Sequence, residues 1–323
     1  TRWADLRVHL ASHRVAGRLG RAHSTDSRQC DRLTAWLAIP LASWIDMAPP
    51  MTTAEFLGFT PQSDTTHSLT MNDSLLGGGS GSLFGGVGLA AGLIALEAAT
   101  ELPPVFMTCQ FASTITPPDE LVVSTEILTR GRTVCQARLT GTSGERTILA
   151  LLGATGSRNE DHRHIGRHMP EVAPPVACAP LRRFQDNESL HNHVDVRMAR
   201  GMFGFAPEDA DGRGTASGDS STLFWTRMPN VAHDAAALAL MADYLPSAVG
   251  NAVDERIFCS SLDNTIRFVE PIEPDLDSEW LLCESHVEFL AAGFATSRGF
   301  IWRRDGTLLA SANQSMTAAR PRD

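Results

Sequence analysis

Residues 234–249, DAAALALMADYLPSAV, decide how the chain is read. The alanines favour helix. Leu238, Met241, Leu245 and Val249 recur at three- and four-residue steps, so the spacing predicts one helix of about four turns. Nearly every side chain is small or apolar, which predicts a helix buried almost all round. Asp234 is placed to cap its start. Asp243 lies inside it, and a carboxylate on a buried helix is costly without partners. Beside it stands Tyr244, the only tyrosine of the chain.

Outward from this helix the chain has a recurring plan. After it come strand-like runs at 256–270, 279–290, 292–303 and 307–317, separated by turn residues. Before it, LHNHVDVRMAR (190–200) and DSSTLFWTR (219–227) also read as strands. The first half has the same order. A Gly-rich turn, LLGGGSGSLFGG (75–86), leads into an apolar helix, LAAGLIALEAAT (89–100), stopped by Pro103 and Pro104. Strand candidates follow at 105–115, 120–130, 133–142 and 146–155. VFMTCQFASTITPP (105–118) aligns with IFCSSLDNTIRFVEPI (257–272) when Pro117 is set on Pro271. SGERTILALLGAT (143–155) aligns with RDGTLLASANQSM (304–316) when Gly144 is set on Gly306. The second anchor is displaced further than the first, which puts a longer connection at PIEPDLDSEW (271–280).

Two copies of a helix followed by an antiparallel meander predict an α+β double hotdog: two tandem antiparallel sheets, each wrapped around a central helix. The expected organisation is an N-terminal extension (1–55), a first repeat (56–156), a linker (157–180) and a second repeat (181–318). The extension is Arg-rich and reads as a targeting peptide, as a disordered extension or as a stretch upstream of a natural start at Met51. His162, His164 and His168 in the linker have no Cys or carboxylate support, so no metal is expected there.

Composition narrows the function. The 323 residues carry a formal charge of −10, which argues against a nucleic-acid surface and against anionic membranes. There is no lysine, so Schiff-base chemistry and a phosphate-loop lysine are excluded. Six scattered cysteines form no C-x-x-C pair, and the four in apolar strand-like runs read as core thiols of a reducing compartment. No apolar run approaches the roughly 18 residues of a membrane span, and the expectation is a cytoplasmic protein. Gly86-Val87-Gly88-Leu89-Ala90-Ala91 matches a dinucleotide fingerprint but lacks the strand and the following acid. There is no G-x-S-x-G. Trp225, Trp280 and Trp302 read as core; His191 and His193 alternate on a strand and read as a solvent-facing edge, or as residues flanking a substrate.

The repeat singles out chemistry where its copies differ in polarity. In the alignment Ser261 faces Met107 and Gln314 faces Leu152, while Asp243 has only Ala and Gly at the comparable depth. Three polar groups in apolar places cost about 1–3 kcal/mol each if unpaired, so they are expected to pair with one another or with water. Gly85 and Gly86 stand at the start of the first helix. They read either as backbone donors to a bound substrate or as small residues allowing tight packing.

These segments resemble the acyl-CoA thioesterase II family. The resemblance runs from about residue 56 to 318. It rests on Leu83-Phe84-Gly85-Gly86, Met241-Ala242-Asp243-Tyr244, Ser260-Ser261-Leu262-Asp263 and the run from Asp305-Gly306 to Gln314. It implies that Asp243, Ser261 and Gln314 bind and activate the water that hydrolyses an acyl-CoA thioester, without metal or redox cofactor. The expected partners are acyl-CoA and, in a homodimer or higher homo-oligomer, further copies of the chain. Ser261 keeps the hydroxyl of the family's threonine. Ser315 replaces a usual acid, and a first-copy histidine is absent near Phe111. The alternatives are a double hotdog that binds acyl thioesters without cleaving them, and a hydratase, which needs a histidine paired with the aspartate.

Overall fold

The computed structural model describes residues 50–77, 81–182, 188–206 and 210–320. The extension up to residue 49 lies outside them. Residues 50–52 lead into helix α1 (Thr53–Leu57), within which the expected end of the extension at residue 55 falls; the helix is capped by Thr52 and tied to the second half by the Thr53 hydroxyl, which donates to Asp234 at 2.6 Å.

The first half continues with β1 (Thr60–Ser63), β2 (Thr66–Thr70), the short pair β3 (Leu76–Gly77) and β4 (Ser82–Leu83), and helix α2 (Gly85–Thr100). A meander follows: β5 (Pro104–Phe111), β6 (Glu120–Arg130), β7 (Val134–Ser143) and β8 (Arg146–Gly156). The second half has β9 (Asp195–Arg200), β10 (Ser221–Arg227), helices α3 (Ala235–Ala242) and α4 (Ser247–Val253), and its own meander. That meander is β11 (Phe258–Phe268), β12 (Leu281–Ala291), β13 (Phe294–Arg303) and β14 (Leu308–Ala319). In β7, Cys135, Ala137 and Leu139 are buried while the residues between them are exposed, the alternation of a sheet with one face on a core.

The meanders do not form separate sheets. Twelve strands make one antiparallel sheet in the order β1, β2, β6, β7, β8, β5, β11, β14, β13, β12, β10, β9. The order is palindromic about the β5–β11 junction. That junction ladder runs from Gln110↔Asp263 to Phe106↔Arg267 with Thr108↔Thr265 at its middle. There the two threonine hydroxyls lie 3.0 Å apart. Helix α2 packs on the first half-sheet and against α3, whose eight residues are all buried, as expected.

Two elements differ from the sequence expectation. The predicted helix over 234–249 is two helices, broken from Asp243 to Pro246. Pro246 has no N–H for the carbonyl four residues back, and its ring clashes with the preceding turn. Asp243 is therefore the C-cap of α3 rather than a mid-helix residue. The predicted strand over 190–200 is extended only in β9, because Leu190–His193 coil into a 3₁₀ turn.

The linker is also more than a solvated connection. Arg167 donates to the buried Glu284 at 2.9 Å, and Trp225 donates its indole N–H to the carbonyl of Ala173 at 2.8 Å. Cys178, Trp225 and Trp302 share an apolar cluster under this segment.

Candidate functional site

The break after α3 turns the Asp243 side chain back toward the start of α2. This needs close contact between the helices, and glycine supplies it. A Cβ on Gly86 would lie 2.9 Å from the Leu240 carbonyl oxygen, and one on Gly85 would lie 2.8 Å from Asp243 Oδ2. The N–H of Gly86 donates to Asp243 Oδ2 at 2.8 Å, so the positive end of α2 meets the carboxylate. Of the two readings of this turn, Gly86 fits tight packing: its amide is engaged by the acid and not free for a ligand.

Two amides hold the other oxygen. Gln314 Nε2 donates to Asp243 Oδ1 at 2.7 Å, and Asn264 Nδ2 donates to it at 3.1 Å. Asn264 and Gln314 face each other across β11 and β14. Gln314 Nε2 also donates to Ser261 Oγ at 2.6 Å. Both hydrogens of the Gln314 amide are thereby used, and the Ser261 hydroxyl keeps its own proton to donate elsewhere. Asp243, Ser261 and Gln314 therefore converge. Ser261 does not bond to the carboxylate: glutamine stands between them, which is not the arrangement of a serine nucleophile with its base.

Asp243 is 4 % exposed, Gln314 1 % and Asn264 0 %. Burial pushes the Asp243 carboxyl up to about 6, against the opposing pull of the bonds from Asn264, Gly86 and Gln314. The acid is thus ionised at neutral pH and close enough to it to take up a proton.

Asn264 is the residue that sequence reasoning missed. Pro117 and Pro271, on which the copies align in sequence, lie in the connections after the strands, where the copies differ in length. The ladder about Thr108 and Thr265 places Asn264, not Ser261, in the position of Met107. Likewise Gln314 pairs with Asn264 as Gly153 pairs with Met107. Ser261 still reaches the site because the β11–β14 register shifts between Ser261 and Asp263. The bulge at Leu262 lets Ser261 and Asn264, three apart, serve one face.

These groups open on a cavity of about 460 Å³, lined by Gly85, Phe111, His191, Asp243, Ser261 and other residues of the two halves. Gly85 N–H, the first amide of α2, has no partner among the described residues. His191 is buried on the cavity wall, not at a solvent edge. Its Nδ1 lies 2.8 Å from the Tyr244 hydroxyl, and burial pushes it down to about 4, so it is neutral at pH 7. Tyr244 packs against Phe84, Phe203 and Phe224. No group of His, Cys, Asp and Glu among the described residues could hold a metal ion.

Residues 170–318 match the family model described as the acyl-CoA thioesterase C-terminal domain. Over this segment, most of its second half, the chain is similar to acyl-CoA thioesterases. Among solved structures it is similar to a proposed thioesterase of Novosphingobium aromaticivorans, with 29 % identity and a TM-score of 0.70 over 80 % of this chain and 97 % of that one. It is also similar to an acyl-CoA thioesterase II of Mycobacterium marinum, at 21 % identity and TM-score 0.63, over 83 % and 98 % of the two chains. A hotdog-fold protein of unknown function from Alicyclobacillus acidocaldarius matches at 20 % and 0.69, over 82 % and 96 %. The likeness to the last two shows a hotdog fold. Comparison with curated proteins gives no match.

Proposed function

We propose that this double hotdog hydrolyses acyl-CoA thioesters to free acid and CoA, with Asp243 as the general base toward water. The observation that carries the reading is a buried carboxylate, raised to about 6, held by three donors in a cavity wall. A water beside Oδ2 gives its proton to Asp243 as its oxygen bonds to the thioester carbon. The Ser261 hydroxyl and Gly85 N–H are placed to donate to the oxyanion that forms. When the carbon–sulfur bond breaks, the departing thiolate takes the proton back from Asp243, which returns to the carboxylate. Gln314 and Asn264 orient the base, and Gln314 also orients Ser261.

In this reading residues 56–156 and 181–318 are the two repeats, joined by the linker 157–180. The proposed setting is the cytoplasm, in line with the free thiols Cys109, Cys135, Cys178, Cys259 and Cys283. No helix among the described residues is long and apolar enough to cross a membrane. A hydratase fits less well: His191 is bonded to Tyr244, and Asp243 is occupied by other donors.

Thiol release across acyl-CoAs of increasing chain length tests the proposal. Turnover that saturates with at least one chain length supports it. Calorimetric binding of the same thioesters with no thiol released would replace it with the binding-protein alternative.

A further inference from the structure

The cavity lies in a fork of the sheet. Beyond Gln110↔Asp263 the central strands separate. The β5 chain turns toward β8, where the amides of Ala112 and Ser113 both donate to the Ile148 carbonyl. On the other side, Phe258–Ser261 pair with β14 alone. In an antiparallel ladder alternate backbone groups point to opposite sides, so this stretch presents N–H and C=O groups with no strand partner. Residues Arg256 to Leu262 line the cavity on one side and Ala112 to Thr114 on the other. An unpaired strand edge is a template for another extended chain bearing amides.

Arg256 stands at the far end of this edge from Ser261. It is exposed and is the one cation among the described residues lining the cavity. Its neighbour Glu255 is engaged by Arg320, at 2.7 and 2.8 Å, while Arg256 has no ion-pair partner among the described residues. The exposed Asp254, in the left-handed cap of α4, is the other charge nearby. In a chain of net charge −10, an uncommitted arginine at the cavity rim is a specific place for an anion. The five residue steps from Arg256 to Ser261 span about 16 Å of extended chain. A pantetheine arm has about thirteen bonds from sulfur to phosphorus and spans about 15 Å when extended. It carries two amides along the way.

We infer that the open edge of β11 is the track for a phosphopantetheine arm. Its amides pair with the free backbone groups of residues 257–261, and its phosphate rests on Arg256 while the thioester lies at Ser261 and Asp243. The inference rests on the thioesterase reading. It adds that the enzyme selects the carrier by this edge, whether the arm comes on CoA or on an acyl carrier protein.

The test is steady-state hydrolysis of one acyl group on CoA, phosphopantetheine, pantetheine and N-acetylcysteamine, and on an acyl carrier protein, by the parent and by Arg256→Gln and Arg256→Glu. In the parent, KM is expected to rise by about ten-fold when the phosphate is removed, the size of one charge-assisted bond, and again when the second amide is lost. The Arg256 variants should raise KM for acyl-CoA and acyl-phosphopantetheine alike, with kcat unchanged, and leave KM for acyl-pantetheine where it was. Turnover of the carrier-protein thioester with the same Arg256 dependence assigns the arm to that source as well. Equal KM with and without phosphate would overturn the inference. So would an Arg256 effect as large on acyl-pantetheine, or one confined to acyl-CoA. Failure to release thiol from every thioester would instead overturn the thioesterase reading itself.

Discussion

Replacing Asp243 with asparagine should stabilise the fold, by an amount that depends on pH in a way the site dictates. The carboxyl is raised from 3.8 to about 6, chiefly by burial, so its ionised form weighs on the folded state by about 3 kcal/mol. A raised acid binds its proton more tightly when folded. Its contribution to stability is thus fully present below pH 3.8 and lost as pH rises through about 6. The substituted amide has no such titration. It also has partners: its oxygen can accept from Gly86 N–H, while its NH2 donates to Gln314 Oε1 and Asn264 Oδ1 once those amides turn over. Both oxygens are buried without a partner in the parent. The variant should therefore exceed the parent in stability at pH 8, by up to about 3 kcal/mol. The gap should narrow by about 1 kcal/mol at pH 5, because the parent gains from protonating Asp243 and the variant does not. Urea unfolding of both proteins at the two pH values measures the gap, and titrations common to both cancel in the difference. A gap that is the same at pH 8 and pH 5 would refute the buried, raised carboxylate.

Three further outcomes follow from the same geometry. Gly85→Ala places a methyl 2.8 Å from Asp243 Oδ2 and 3.0 Å from the Phe111 ring; kcat should fall at least about ten-fold with little change in far-UV circular dichroism. Ser261→Ala removes a proposed oxyanion donor, so kcat should fall about 100-fold with KM held, and Ser261→Thr should restore most of it; equal rates in all three would remove the hydroxyl from the mechanism. Gln314→Glu sets a second carboxylate against Asp243. Like charge raises the Asp243 carboxyl further, so the acid limb of the rate profile should move to higher pH than in the parent.

The meanders are legible in the sequence because one face of each strand is buried. In β7 the alternation from Cys135 to Leu139 leaves no other register. Asp243, Ser261 and Gln314 are legible as polar residues in apolar surroundings, sharpened by the family resemblance. Three things are not. The helix break at Pro246 is local chemistry that an apolar spacing argument overrides wrongly, since Leu245 and Val249 keep the helical step across it. The bulge at Leu262 changes which residues share a face, and nothing in the composition of SSLDN announces it; this is why Asn264 is hidden. His191 reads as an edge residue because LHNH alternates. The 3₁₀ turn and the aromatic group around Tyr244, which draw it into the cavity wall, come from elements far apart in the chain.

The central claim is that Asp243 takes the proton of the attacking water. The pH dependence of kcat/KM for an acyl-CoA, measured for the parent and for Asp243→Asn, tests it most directly. The account predicts a parent rate that falls on the acid side of about pH 6, and a variant slower by at least about 100-fold from pH 6 to 9 while remaining folded. Turnover by Asp243→Asn at the parent rate would contradict it.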